Sequence, residues 1–144
     1  MENLLISACL LGVSCRYDGK SKPLPGIEKL RERYTLIPVC PEILGGLPTP
    51  RAPSERRGEK VLTEDGRDVT AQYAKGGAEA LRLAAFFGCK KALLKERSPA
   101  CGSGKIYDGT FTKTLTDGFG VAAELLFQNG VSVFGETEME ELMK

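Results

Sequence analysis

Apolar residues come in four short blocks along the chain: LLIS at 4–7, TLIPV at 35–39, KALLK at 91–95 and VSVF at 131–134. They run continuously instead of alternating with polar residues, as strands covered on both faces do. Between the blocks the pattern lengthens to helical spacing. IEKLRERY (27–34) predicts a short helix, VTAQYAKGGAEALRLAAFFG (69–88) the longest, and DGFGVAAELLFQNG (117–130) a third. Asp68 or Thr70 can cap the long helix and Gly88 can close it, while Asp117 can cap the third and Asn129-Gly130 end it. Gly76 and Gly77 weaken the long helix by about 1 kcal/mol each relative to alanine. Either close packing compensates or the helix bends there.

Strand, helix, strand, helix, strand, helix, strand implies parallel strands with right-handed crossovers. The expected fold is a single α/β domain over 1–144, a three-layer sandwich with a mostly parallel, Rossmann-like sheet. GEKVLTEDGRDVT (58–70) breaks the rhythm, and its EDG turn signal predicts a small hairpin. GGLPTPRAPSE (45–55) reads as a loop with fixed backbone angles, and SERRGEK (54–60) as a solvated loop. SPACGSGKIYDG (98–109) reads as a polar loop of small residues, and ETEMEELMK as a short surface helix or frayed tail.

Composition narrows the chemistry. The formal net charge of +1 gives no global field for nucleic acid or a membrane. No apolar run approaches the roughly 18 residues that span a bilayer, and MENLLISACLLG carries an acid where a signal peptide is basic. A cytoplasmic protein, monomeric and free of the membrane, is expected. Histidine is absent, which removes the commonest general base and metal ligand. Any metal chemistry therefore falls to thiolates or carboxylates. The five cysteines are irregularly spaced, which argues against a disulfide framework in a reducing compartment.

Three of the cysteines follow apolar blocks: Cys9 after LLIS, Cys40 after TLIPV, and Cys101 a short loop beyond KALLK. If the strands are parallel, all three sit at strand C-terminal ends on one edge of the sheet, where open α/β sheets bind ligands. Glycines near each thiol suggest backbone N–H nests for an anionic group. Three thiolates suit a [4Fe-4S] cluster with one open iron better than structural zinc, which takes four closed ligands. Cys15 could supply a fourth. Cys89, just after the long helix, reads as a core residue.

The segments SACLLGVSCRYDGKSK, PVCPEILGGLPTPR, DGRDVT, LLKERSPACGSGKIYDGTF and GVAAELL resemble the domain of unknown function 523 family, which includes thiouracil desulfidase modules. The resemblance spans nearly the whole chain. It implies an oxygen-sensitive [4Fe-4S] cluster held by Cys9, Cys40 and Cys101, and removal of sulfur from thiolated pyrimidines such as 2-thiouracil without net electron transfer. It also implies Glu42 and Ser98 as catalytic side chains, Glu42 activating water and Ser98 donating to the substrate or shuttling a proton. Ala100 stands where many relatives carry serine.

Other polar residues are weaker candidates. Tyr17 can stack on a flat base, Arg51 can reach a substrate carbonyl, and Ser103 lies in the small-residue loop beside Cys101. Lys105 and Tyr107 flank that loop and can close a pocket. Competing classes are a non-catalytic iron–sulfur or zinc module acting through a partner protein or thiolated RNA, and a thiol redox protein. The redox class lacks a C-x-x-C pair, and RNA binding lacks a basic stripe.

Overall fold

The computed structural model describes residues 1–144. In chain order the elements are β1 (Glu2–Ser7), β2 (Tyr34–Val39), α1 (Pro41–Leu44), β3 (Ser54–Arg57), β4 (Lys60–Thr63), α2 (Thr70–Phe86), β5 (Lys91–Leu94), β6 (Ser103–Tyr107), β7 (Leu115–Phe119), α3 (Val121–Gln128) and β8 (Ser132–Gly135). Single 3-10 segments occupy Ala8–Leu11, Ile27–Glu32 and Glu136–Met143.

The central sheet has the order β2-β1-β5-β8 with every pairing parallel. Leu5, Ala92 and Leu94 face one layer, packed with Tyr73 and Ala84 of α2 and Ala123 and Leu126 of α3. Leu4, Ile6 and Leu93 face the other, where Leu10, Leu30, Met139 and Leu142 come from the 3-10 segments. Both faces are covered, which explains the unbroken apolar blocks. The three layers are therefore α-helices, sheet and 3-10 segments. No helix is long and apolar enough to cross a membrane.

Of the two glycines inside α2, Gly76 resolves as close packing and Gly77 makes only ordinary contact. Gly76 abuts the carbonyl of Pro41, Gly45 abuts the backbone of Gln72, and Gly77 meets Ala122 of α3. At the start of α2, Asp68 Oδ1 accepts from the Thr70 N–H at 2.9 Å, and Gly88, at φ 63°, closes the end. Closure by Gly88 is as the sequence suggests, whereas the N-cap position is Val69, neither Asp68 nor Thr70, and Asp68 holds the first turn from one residue outside it.

Several elements differ from expectation. The third helix starts at Val121, not at 117: Asp117 lies in β7, which pairs with β6 out of the supposed loop 98–109. Their apolar residues, Ile106, Tyr107, Leu115 and Phe119, sit only at one end of β6 and the two ends of β7, and a surface pair, Lys105 Nζ to Asp117 Oδ1 at 2.6 Å, joins the strands, so no apolar block announces them. The run SERRGEK is not a solvated loop. Its first four residues form β3, and Arg56 points inward to Glu124 (2.7 Å) and the Phe119 carbonyl (2.8 Å). The hairpin turn falls at Gly58-Glu59, while EDG makes a second turn back to a bridge between Leu62 and Asp68. IEKLRERY winds as a 3-10 segment before Tyr34 enters β2. The C-terminal segment is anchored: Met139 and Leu142 are buried, and Tyr34 Oη donates to the Leu142 carbonyl at 2.8 Å.

Candidate active site

β1 lies between β2 and β5, so the chain leaves it on one side and later returns on the other. The crevice outside the carboxyl ends of such strands is where parallel sheets bind ligands. Cys9 sits in the 3-10 segment directly after β1, Cys40 directly after β2, and Cys101 in the loop after β5. All three line one cavity of about 770 Å³, together with Glu42, Ser98, Arg51, Tyr17 and Cys15. None of the cysteines is in a disulfide.

The floor of the cavity is electrostatically unusual. Burial pushes the Cys9 thiol up to about 11, with Cys40 and Glu42 adding to the effect. Burial and then Glu42 push Cys40 up to about 12, and the same two causes hold Cys101 well above the ordinary thiol range. Thiols so placed stay protonated at neutral pH unless a cationic centre enters among them. No three Cys, Asp or Glu side chains converge on the position of a single ion. Three free thiols lining one cavity, with no histidine in the chain, are a donor set that fits an iron–sulfur cluster, whereas a structural zinc ion would need a fourth ligand beside them.

Glu42 is in the short helix that starts after Cys40, so the placement of its carboxylate follows from that of the thiol. Burial raises its carboxyl above the ordinary range, opposed by Arg51, whose Nη2 lies 3.7 Å from Glu42 Oε2. Arg51 is committed to protein groups. Nη2 also donates to the Cys15 carbonyl at 3.0 Å, and Nη1 donates to the Pro48 carbonyl and Thr49 Oγ1 at 3.2 Å. It braces the cavity wall. Ser98 Oγ accepts from the N–H groups of Ala100 and Cys101, each at 3.1 Å, and so shapes the turn that presents Cys101. Tyr17 is exposed at the rim beside Arg16.

Some candidates fall elsewhere. Ser103 pairs with Phe119 in the β6–β7 ladder and lines a separate shallow depression. Lys105 points to Asp117 on the surface, whereas Tyr107 does line the cavity. The glycine nests do not form as expected: Gly12, Gly45, Gly46 and Gly102 donate their N–H groups to the carbonyls of Cys9, Pro41, Ile43 and Ser98. Cys89 packs in the core with Ala84 and Val131, as its sequence position suggests.

Sequence reasoning missed other lining residues. Lys95 extends from the end of β5 and binds Glu136 at 2.8 Å. Its signal was available: a charged residue closing an apolar strand at the ligand edge. Tyr73 reaches the cavity from the buried face of α2, where nothing local distinguishes it from a core residue.

The 2-thiouracil desulfurase family model matches residues 4–138. The chain belongs to the 2-thiouracil desulfurase family. It is thus an enzyme of the desulfidase type. Among its relatives, the uncharacterised protein YbbK of Bacillus subtilis (strain 168) is 40% identical over 150 residues, covering 97% of this chain and 99% of YbbK. Among solved structures, a [4Fe-4S]-dependent thiouracil desulfidase, TudS, superposes with a TM-score of 0.94 at 46% identity, covering 99% of this chain and 96% of that one. The parallel sheet and three-layer fold of the desulfurase family are thereby established for this chain.

Proposed function

We propose that this protein removes sulfur from a thiolated pyrimidine such as 2-thiouracil, converting C=S and water to C=O and hydrogen sulfide at a [4Fe-4S] cluster held by Cys9, Cys40 and Cys101. The observation that carries the reading is the meeting of these three unpaired thiols with Glu42 and Ser98 in one cavity at the carboxyl ends of β1, β2 and β5. When bound, the cluster supplies an iron with an open position, a soft Lewis acid suited to a thiocarbonyl sulfur.

The chain's own residues do the rest. Glu42 Oε takes a proton from the attacking water as general base. Arg51 holds that carboxylate in the wall. The lone pairs of Ser98 Oγ are engaged by two backbone N–H groups, so its hydroxyl proton is free to be donated to the substrate. The buried floor limits water around the reacting carbon. No electrons are consumed, and no nicotinamide or flavin is required.

The test is anaerobic purification with iron, acid-labile sulfide and zinc counted per chain. The expected result is near four irons and four sulfides, lost in Cys9→Ser, Cys40→Ser and Cys101→Ser and retained in Cys15→Ser, with sulfide released from 2-thiouracil. Zinc in place of iron, lost in Cys15→Ser, would replace this reading with a closed zinc module. One observation motivates that second reading: Cys15 lines the same cavity as the other three thiols.

A further inference from the structure

The tip of the β6–β7 hairpin, DGTFTKT at 108–114, contains two non-glycine residues in the left-handed region, Phe111 at φ 58° and Lys113 at φ 60°. Such conformations cost of order 1–3 kcal/mol each and persist only where surroundings over-determine them. Here they are over-determined from two sides. Glu55 of β3 places one carboxylate oxygen, Oε1, against two tip N–H groups, Gly109 at 3.0 Å and Phe111 at 3.1 Å. Arg57 donates to the Gly109 carbonyl at 2.6 Å. On the other side the hydroxyls of Thr110, Thr112 and Thr114 form a chain, 2.6 and 2.8 Å apart, that begins at Asp108 Oδ1, 2.6 Å from Thr110.

The alternation has a consequence. The threonines bond to one another, while the residues between them, Phe111 and Lys113, line the cavity that holds the cysteines. A phenyl ring there would be expected in a core; instead it is half-buried in the wall of a polar cavity, on a strained backbone. The cavity's other rings are the phenols Tyr17, Tyr73 and Tyr107, so Phe111 is the one aromatic lining residue without a hydroxyl. A planar heteroaromatic ring is the ligand class that such a face takes.

We propose that Phe111 is a substrate-binding residue, the stacking wall for the flat ring of the pyrimidine, and that Glu55 is the positioning residue that holds it there. This deepens the desulfidase reading and rests on it for the identity of the ring. The strain at Phe111 is offset by the Glu55 latch, and the latch exists because the ring is needed at that point in the cavity.

The test measures uracil, the product, binding to the anaerobically purified protein by calorimetry, alongside iron content, Tm and KM for 2-thiouracil. Phe111→Ala should weaken uracil binding and raise KM by on the order of tenfold, the range of one lost base–aromatic stack. Iron content should be unchanged. Phe111→Leu, which keeps bulk and loses the ring face, should behave like the alanine variant. Glu55→Ala should show the same loss with Phe111 intact, and Glu55→Gln, which keeps the acceptor oxygen, should restore most of it. Wild-type affinity in Phe111→Ala, with wild type binding and desulfurating, overturns this proposal alone. Weakened uracil binding in Phe111→Ala, in a wild type that binds but does not desulfurate, upholds the wall and overturns the activity. A wild type that neither binds uracil nor desulfurates 2-thiouracil overturns both, and one that desulfurates without measurable uracil binding is judged on KM, where an unchanged value in Phe111→Ala overturns the wall.

Discussion

Gly76, in the middle of α2, rests on the carbonyl oxygen of Pro41 so closely that no side-chain carbon fits between them. Pro41 is the residue after Cys40, so this contact sets the height at which the second cysteine enters the cavity. Gly76→Ala must push α1 away from α2. Overpacking of this kind costs about 3 kcal/mol, which at this chain length lowers Tm by roughly 10 °C. Gly77 is the internal control: an added Cβ there meets Ala122 and Val121 at 3.4 Å or more, ordinary contacts. Gly77→Ala should be neutral or gain up to about 1 kcal/mol from helix propensity. Thermal melts of the two variants, with iron counted per chain, check this; equal melts would mean that the Gly76 contact is slack.

The sheet was legible because burial on both faces leaves a local trace, four unbroken apolar blocks. The cysteine placement followed from it, since a parallel sheet sends every carboxyl end to one edge. The hairpin β6–β7 was not legible. Its few apolar residues, such as Ile106 and Leu115, are scattered among glycine, threonine and charge and form no block, and its order comes from tertiary partners such as Glu55, some fifty residues away in sequence. The same cause hid Phe111 as a cavity residue and made Ser103 look like one. Glycines beside the thiols suggested anion nests, but sequence cannot tell a glycine that offers its N–H from one that clears room for a helix, as Gly45 does.

Asp68 gives a pH-dependent prediction. Hydrogen bonds from Thr70 hold its carboxyl below the ordinary value of 3.8 in the folded state. A folded value below the unfolded one means that the carboxylate stabilises the fold above the unfolded value and that this is lost as pH falls through the folded value. The Tm gap between wild type and Asp68→Ala should therefore be constant from neutral pH to about 5 and close below 4. Asp68→Asn, which keeps an acceptor without a titrating group, should show no such closure. A gap that persists undiminished to pH 2 would mean the carboxylate's charge is irrelevant there.

Arg51 separates bracing from substrate contact. Its side chain is 7% exposed and its donors serve Glu42, Cys15, Pro48 and Thr49. Arg51→Ala leaves the Glu42 carboxylate buried without its cation, a change worth about 3–5 kcal/mol. Much of that loss should return in Arg51→Ala/Glu42→Gln, which removes the stranded charge but not the defect in turnover. A residue that only touched substrate would give another pattern: an unchanged melt and a raised KM. The double-mutant melt is the measurement, and additivity of the two single effects would rule out the brace.

Ser98 has two tasks that one substitution can pull apart. Its oxygen accepts the Ala100 and Cys101 N–H groups, and its proton is the one proposed to reach the substrate. Ser98→Ala removes both, so cluster content and turnover should fall together. Asparagine accepts backbone N–H groups about as well as serine at such turns, but carries no hydroxyl. Ser98→Asn should therefore recover iron and sulfide toward the wild-type count while kcat stays lower by roughly 10²–10⁴, the usual contribution of a positioned proton donor. Iron content reads the turn and kcat reads the proton. Recovery of both would reduce Ser98 to a turn residue and pass the proton to another group in the cavity, such as Tyr73, a buried phenol that lines it.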